Sequence, residues 1–164
     1  KEIKEKFDLL VERLKDHSAE IQKQSLQQIK VEVSTATSSM TSIPKPFKFL
    51  SPHYLALKQY YETLREDHFK KEVADLISVL GITMGEDGQF DSLNFALQGT
   101  KANLESWGHQ YIWSLGAEVA AKYNALLQES QDPSHLDFLV DIVVPHLMKT
   151  HEEPEAVDLL LEVE

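Results

Sequence analysis

Seven histidines carry every imidazole the chain could use for proton transfer or metal binding: His17, His53, His68, His109, His135, His146 and His151. Only His146 and His151 are close in sequence, and side chains five apart on a helix point in different directions. A zinc site needs three or four convergent ligands, so this pair does not make one. The sequence holds no His-Glu-x-x-His, no Gly-x-Ser-x-Gly and no Gly-rich phosphate loop. It has no cysteine, which removes disulfides, thiolate ligands and thiol nucleophiles. Gly85-Glu86-Asp87-Gly88 is a turn, and its Asp87-Gly88 lacks the spaced oxygen ligands and distant Glu of a calcium loop. The many Asp and Glu residues show no isolated pair in an apolar setting. Each lone histidine reads as a surface or satisfied core group, and His151-Glu152-Glu153 as a solvated acidic turn. No catalytic residue, cofactor site or metal site is assigned, and an enzyme is not expected.

The composition narrows the partners. Net charge is −11, and phosphate binding needs clustered Lys and Arg, so neither nucleic acid nor an anionic membrane is expected. The charge is uneven: residues 1–30 are nearly balanced, whereas Lys149 is the only basic residue after Glu129. The acidic end reads as a solvated face or as a dock for a basic partner. No apolar run is long enough to span a bilayer, no signal peptide is visible, and the absence of cysteine fits the cytosol. Hydrophobic content of 42% with only 6 Gly and 6 Pro predicts long periodic elements around a real core. The chain starts at Lys1 and stops at Glu164 inside a helix-like run, and so reads as one helical domain over 1–164, a fragment of something larger.

The elements follow from apolar spacing. Ile3, Phe7, Leu10 and Leu14 make an amphipathic helix over 1–15. Asp16 and Ser18 are cap residues before a second helix with Ile21, Leu26, Ile29 and Val33. It fades into the hydroxyl run Ser34 to Ser39, a frayed end or a phosphorylation site. Pro44, Pro46 and Pro52 then predict a non-helical connector, pinned by Ile43, Phe47, Phe49 and Leu50. Ser51-Pro52 starts a helix to about Arg65, with Leu55, Leu57, Tyr60, Tyr61 and Leu64. Asp67 caps a broad-striped helix to Met84, in which Gly81 suggests a close helix crossing. Phe90–Leu97 reads as an irregular connector. The longest helix is expected over 101–129, with Trp107, Tyr111, Leu115, Val119 and Tyr123 on one side and Trp113, Ala120 and Leu127 on the other. Asp132-Pro133 starts a helix over 134–150 with a kink or break near 141–144 caused by Pro145. Glu153-Pro154 opens a last helix whose apolar face has no partner in the chain.

The helices come in pairs: 1–15 with 18–36, 52–65 with 68–84, and 101–129 with 134–150. Pair starts fall roughly 50 residues apart, near the ~40–47-residue period of HEAT and armadillo units. The fold expected is all-α, an irregular HEAT-like, α-solenoid-like array; a compact bundle is the alternative. Such arrays present surfaces to other proteins. Trp113 is either an anchor for a partner or an ordinary helix–helix contact; binding residues are otherwise unknown.

The run Ser39-Met40-Thr41-Ser42-Ile43-Pro44-Lys45-Pro46-Phe47-Lys48-Phe49-Leu50, followed by Pro52 and Tyr54, resembles the N-terminal region of the large non-ATPase base subunits of the proteasome regulatory particle. Ile77-Ser78-Val79-Leu80 with Thr83-Met84, Trp107-Gly108-His109-Gln110-Tyr111, and Asp158-Leu159-Leu160-Leu161-Glu162-Val163-Glu164 agree in the same order. The resemblance implies a non-catalytic, cytoplasmic and nuclear scaffold beside the ATPase ring, acting in ubiquitin-dependent degradation. It implies contacts with other base subunits, including ATPases, and docking of ubiquitin and ubiquitin-like domains through regions outside this chain. Gln110, Trp113-Ser114, Asn94 and Ala96 depart from the family pattern, where acidic or basic residues stand. A generic HEAT-like adaptor outside the proteasome is the alternative.

Overall fold

The computed structural model describes residues 2–36, 45–86, 88–102 and 104–149. Among them are eight α-helices: α1 (Glu2–Leu14), α2 (Ala19–Ala36), α3 (Lys45–Leu50), α4 (Tyr54–Thr63), α5 (His68–Met84), α6 (Asp91–Gln98), α7 (His109–Gln128) and α8 (Asp137–Lys149). Single 3₁₀ turns precede α4 (Ser51–His53), α7 (Leu104–Trp107) and α8 (Ser134–Leu136). The described residues contain no strand, and none of their helices is long and apolar enough to cross a membrane. The arrangement is all-α and solenoid-like.

Paired helices pack side by side, and α1 with α2 and α7 with α8 run antiparallel. Ser25 Oγ donates to the Leu10 carbonyl at 2.5 Å, and Lys6 pairs with Glu32, which zips α1 to α2. Lys70 Nζ lies over the Tyr61 ring at 4.8 Å, near the α4–α5 turn. Gly116 abuts Val143 across α7 and α8. The expected pairs are all present. The chain also makes a pair that the apolar spacing missed, α5 with α6.

The core runs through every helix, and α5 is its axis. Every residue from Val73 to Gly81 is buried, because α5 packs on α2, α4, α6 and α7. A helix that is apolar all round belongs inside. Apolar residues on two sides of α7 predict neighbours on both, but the described residues cover mainly one broad side of it. Tyr111, Leu115 and Val119 are buried, whereas Trp113 and Leu127 on the other side are 42% and 46% exposed.

Four expectations are corrected. The proline segment contains a helix: Pro46 is the second residue of α3, where the missing N–H would have had no intrahelical partner anyway. Phe47 and Leu50 of α3 are fully buried and Phe49 partly so, with α3 lying against α1 and α2; Ile43 and Pro44 fall outside the described residues. The Phe90–Leu97 connector is helix α6, started by Phe90 in the left-handed region at φ 55°. The long helix begins only at His109, because Gly108 takes φ +100°, a conformation other residues avoid. Trp107 is buried from the turn before it, under Lys30, whose Nζ sits 5.6 Å from the ring centre. Finally, α8 runs unbroken through Pro145. Pro145 and Asp141, whose carbonyl loses its partner, are both exposed, so water can replace the missing bond.

The caps explain the remaining boundaries. Asp67 Oδ1 accepts from Lys70 N at 3.0 Å, as expected. Asp16 Oδ1 accepts from Ser18 N at 2.8 Å, and Asp132 Oδ1 from Ser134 N at 3.0 Å. Ser51 does not cap: it is already the first residue of its 3₁₀ turn. The last expected helix, 154–164, and part of the hydroxyl run lie outside the described residues.

Candidate functional site

The carboxylates, not the histidines, are what the fold gathers. Asp75 is buried on α5, and its side chain accepts from Thr100 N and from Thr100 Oγ, the latter at 2.6 Å. It thereby holds the chain leaving α6. Burial pushes its carboxyl above the ordinary range, against the pull of the Thr100 bonds. Glu118 of α7 is likewise raised by burial, while its bond to the Leu93 amide lowers it. Its Oε1 accepts from Leu93 N at 3.2 Å, the third residue of α6. So α6 has no cap of its own and takes one from α7. Asp91 accepts from the Tyr54 hydroxyl at 2.6 Å and from Lys58 at 3.0 Å, which ties α6 to α4.

Between these groups, Ser78 Oγ donates to the Ser92 carbonyl at 2.5 Å and Ser92 Oγ returns a bond to the Ser78 carbonyl at 2.6 Å. Ser78 has one proton, so the buried Tyr111 hydroxyl, 2.7 Å away, is the donor in their contact. This reciprocal bridge needs α5 and α6 very close. A Cβ on Gly81 would meet Ser92 Oγ at 2.8 Å, which is the close crossing its position suggested. The polar groups are held by amides, hydroxyls and Lys58. They build the fold by joining its helices.

Of the histidines, His109 and His146 come together, 37 residues apart, with Nδ1 of the first 3.2 Å from Nε2 of the second. Glu105 Oε1 lies 3.8 Å from His146 Nδ1, so the trio fastens the start of α7 to the end of α8. Its nitrogens and oxygen face one another in series and not a common point. His53 bonds Asp8 at 2.7 Å and His68 approaches Glu72 at 3.4 Å. No group of three candidate metal ligands occurs among the described residues. His151 lies outside them.

What the fold does present is a trough. Three clefts of 370, 320 and 220 Å³ adjoin through shared Met84, Glu86 and Asp91. They run from Phe47 and Lys48 past Leu55 and Lys58 to Phe90, Ala117 and Ala121. Leu55, expected in the core, is 65% exposed on this surface. Lys48, Lys58, Glu86, Asp91 and Glu118 stand among its apolar side chains, so the lining mixes polar and apolar surface. The apolar spacing could not find it, since it needs α3, α4, α5, α6 and α7 in place.

The family model described as the RPN1 N-terminal domain matches residues 7–164. The chain belongs to the RPN1 N-terminal domain family. Over 163 residues it is 44% identical to the 26S proteasome non-ATPase regulatory subunit 2 homolog A of Arabidopsis thaliana. It is 43% identical over 162 residues to the 26S proteasome non-ATPase regulatory subunit 2 of Dictyostelium discoideum, and 35% over 162 to the 26S proteasome regulatory subunit rpn1 of Schizosaccharomyces pombe. Each alignment covers 99% of this chain but 18% of the relative, so this RPN1 N-terminal segment spans about a fifth of their length.

Proposed function

We propose that this chain is the N-terminal scaffold segment of a non-ATPase subunit in the base of the 26S proteasome regulatory particle. The observation that carries the reading is similarity over nearly the whole chain to proteins named as 26S proteasome regulatory subunits. The segment is non-catalytic, and it contributes protein contacts to ubiquitin-dependent degradation in the cytoplasm and nucleus. Its partners are other base subunits, the ATPases included, and the trough centred on Leu55 and Met84 is one contact surface. Ubiquitin and ubiquitin-like domains are bound by parts of the subunit outside this chain. The geometry supports the reading because the buried carboxylates are engaged in joining helices, as suits a stiff body that offers a trough of mixed polar and apolar lining.

The test is affinity purification of the full-length subunit from cells. Base ATPases are expected to co-purify, and their absence would overturn the assignment. Leu55→Asp with Met84→Asp should reduce the yield of one or more base subunits while leaving the helical circular dichroism intact. An unchanged yield would remove the trough as a contact. Titrating this chain with ubiquitin should leave its amide NMR spectrum unmoved.

A further inference from the structure

The seam between α7 and α8 is closed at one end by two imidazoles. His109 is the first residue of α7 and His146 lies in the last turn of α8, with Nδ1 of the first 3.2 Å from Nε2 of the second. The rings are 5.4 Å apart, centre to centre, and 25° from parallel. His146 is buried and His109 partly so. Two facing ring nitrogens make a hydrogen bond only when one carries a proton and the other offers a lone pair. The contact therefore stands when both rings are neutral, with one N–H between them, and when one ring is an imidazolium. It cannot stand when both are, because two N–H groups then face each other and two like charges meet beside buried Trp107 and Leu147.

Among the described residues, the charges around the pair come from few places. Glu105 Oε1, on the 3₁₀ turn before α7, is 3.8 Å from His146 Nδ1, the nitrogen turned away from His109. It supports one added proton on His146, whose Nε2 then donates to His109. In α7, residues 109–116 hold only His109 and Tyr111 as titratable groups, and the Tyr111 hydroxyl is spent on Ser78. In α8, residues 142–148 hold His146 alone. Lys30 of α2 lies over Trp107 and pairs with Glu72 at 3.8 Å, and Lys101 lies over Phe138 at the far end of α8.

We propose that the His109–His146 contact is an acid-sensitive latch: it fastens the end of α8 to the start of α7 with at most one added proton, and a second proton opens it. An ordinary histidine gains its proton at about pH 6.5. Below that value the open state binds both protons and the closed state one. Closing is therefore favoured at neutral pH and is lost as pH falls, by up to about tenfold for each pH unit. The latch concerns the chain alone and does not rest on the proteasome assignment.

The test is a series of thermal melts of the 164-residue chain from about pH 7.5 to 5. It compares wild type with His109→Gln and with His17→Gln, an exposed histidine between α1 and α2. Glutamine keeps an amide for the contact and takes up no proton. His53 with Asp8 and His68 with Glu72 are the same in wild type and His109→Gln, so the difference between those two proteins isolates the latch. One pH unit below the ordinary histidine value, the midpoint of wild type should have fallen further than that of His109→Gln by about 3–6 °C. His17→Gln should follow wild type. A fall of the same size in wild type and His109→Gln overturns the proposal, and so does an equal relief by His17→Gln. A second measurement does not depend on global stability. Ring ¹⁵N NMR reads the protonation of each imidazole, and the second of the two should gain its proton together with loss of the nuclear Overhauser contact between the rings. Two imidazolium rings with that contact intact overturn the proposal.

Discussion

Phe47 is where the proline segment is most open to test. It sits on a six-residue helix, too short to persist unaided, so α3 is held by what its side chains bury. The Phe47 ring is fully buried, whereas Phe49, two residues on, is only partly covered. Phe47→Ala loses the transfer free energy of the ring and leaves a cavity between α3 and the α1–α2 pair, about 3–5 kcal/mol together. Against a total stability of about 5–15 kcal/mol, that is a large fraction. At roughly 2–4 °C per kcal/mol for a chain of this size, the melting midpoint should fall by about 6–20 °C. Phe49→Ala keeps part of its area in water in the native state and should cost about half as much or less. Leu55→Ala, on a residue 65% exposed, should stay within about 0.5 kcal/mol. Urea unfolding followed by circular dichroism, fitted for the midpoint and slope, measures all three. Equal losses for Phe47→Ala and Phe49→Ala, or a loss below about 1 kcal/mol for Phe47→Ala, would refute the account of α3 as a docked element.

Other substitutions probe the α5–α6–α7 junction. Gly99→Ala would place a Cβ 1.9 Å from Asp75 Oδ1, so the Thr100 bonds must break and a buried carboxylate is left unpaired; a loss of about 3 kcal/mol or more is expected in thermal melts. Tyr111→Phe removes a donor to Ser78 while Ser78 keeps its bond to the Ser92 carbonyl, so urea titration should show a loss of only about 0.5–1.5 kcal/mol. Burial raises the Glu118 carboxyl, so the native state keeps a proton that the unfolded chain has released. Stability therefore falls as pH rises through the window from its ordinary value near 4.5 upward. Glu118→Gln, which retains an oxygen for the Leu93 amide, should flatten that decline in a series of melts against pH. A slope that is unchanged, or steeper, would contradict the assigned cause.

The helices that were legible in the sequence are those whose apolar stripe and cap lie within their own residues. Phe7, Leu10 and Leu14 wrote α1; Asp67 wrote the start of α5; Asp132 wrote the turn before α8. What was not legible depends on distant groups. Leu93, Phe95 and Leu97 alternate like a strand, yet α6 is a helix because Glu118, 25 residues away, receives the Leu93 amide. The proline segment misled for another reason: a proline forbids a helix interior but not a first turn, and Pro46 stands in the first turn. The split before α7 rests on the φ of Gly108, which a single glycine in an otherwise periodic run does not announce. Asp75 and Glu118 look like any surface carboxylate in sequence; only the fold buries them and gives them Thr100 and Leu93 as partners. Trp113 stood out because its azimuth opposes the buried stripe, but the neighbour that a second apolar side predicts is not found over it among the described residues.

The borrowed cap on α6 ties the lifetimes of two elements together. Lifting α7 away leaves the Leu93 amide without its acceptor and weakens the first turn of α6, while the Ser78–Ser92 bridge and the Asp91 bonds still hold the helix to α5 and α4. A fluctuation that lifts α7 away therefore frays the start of α6 without needing to release the whole helix. Hydrogen exchange at the single amide of Leu93 then serves as a clock for the undocking of a helix to which it does not belong.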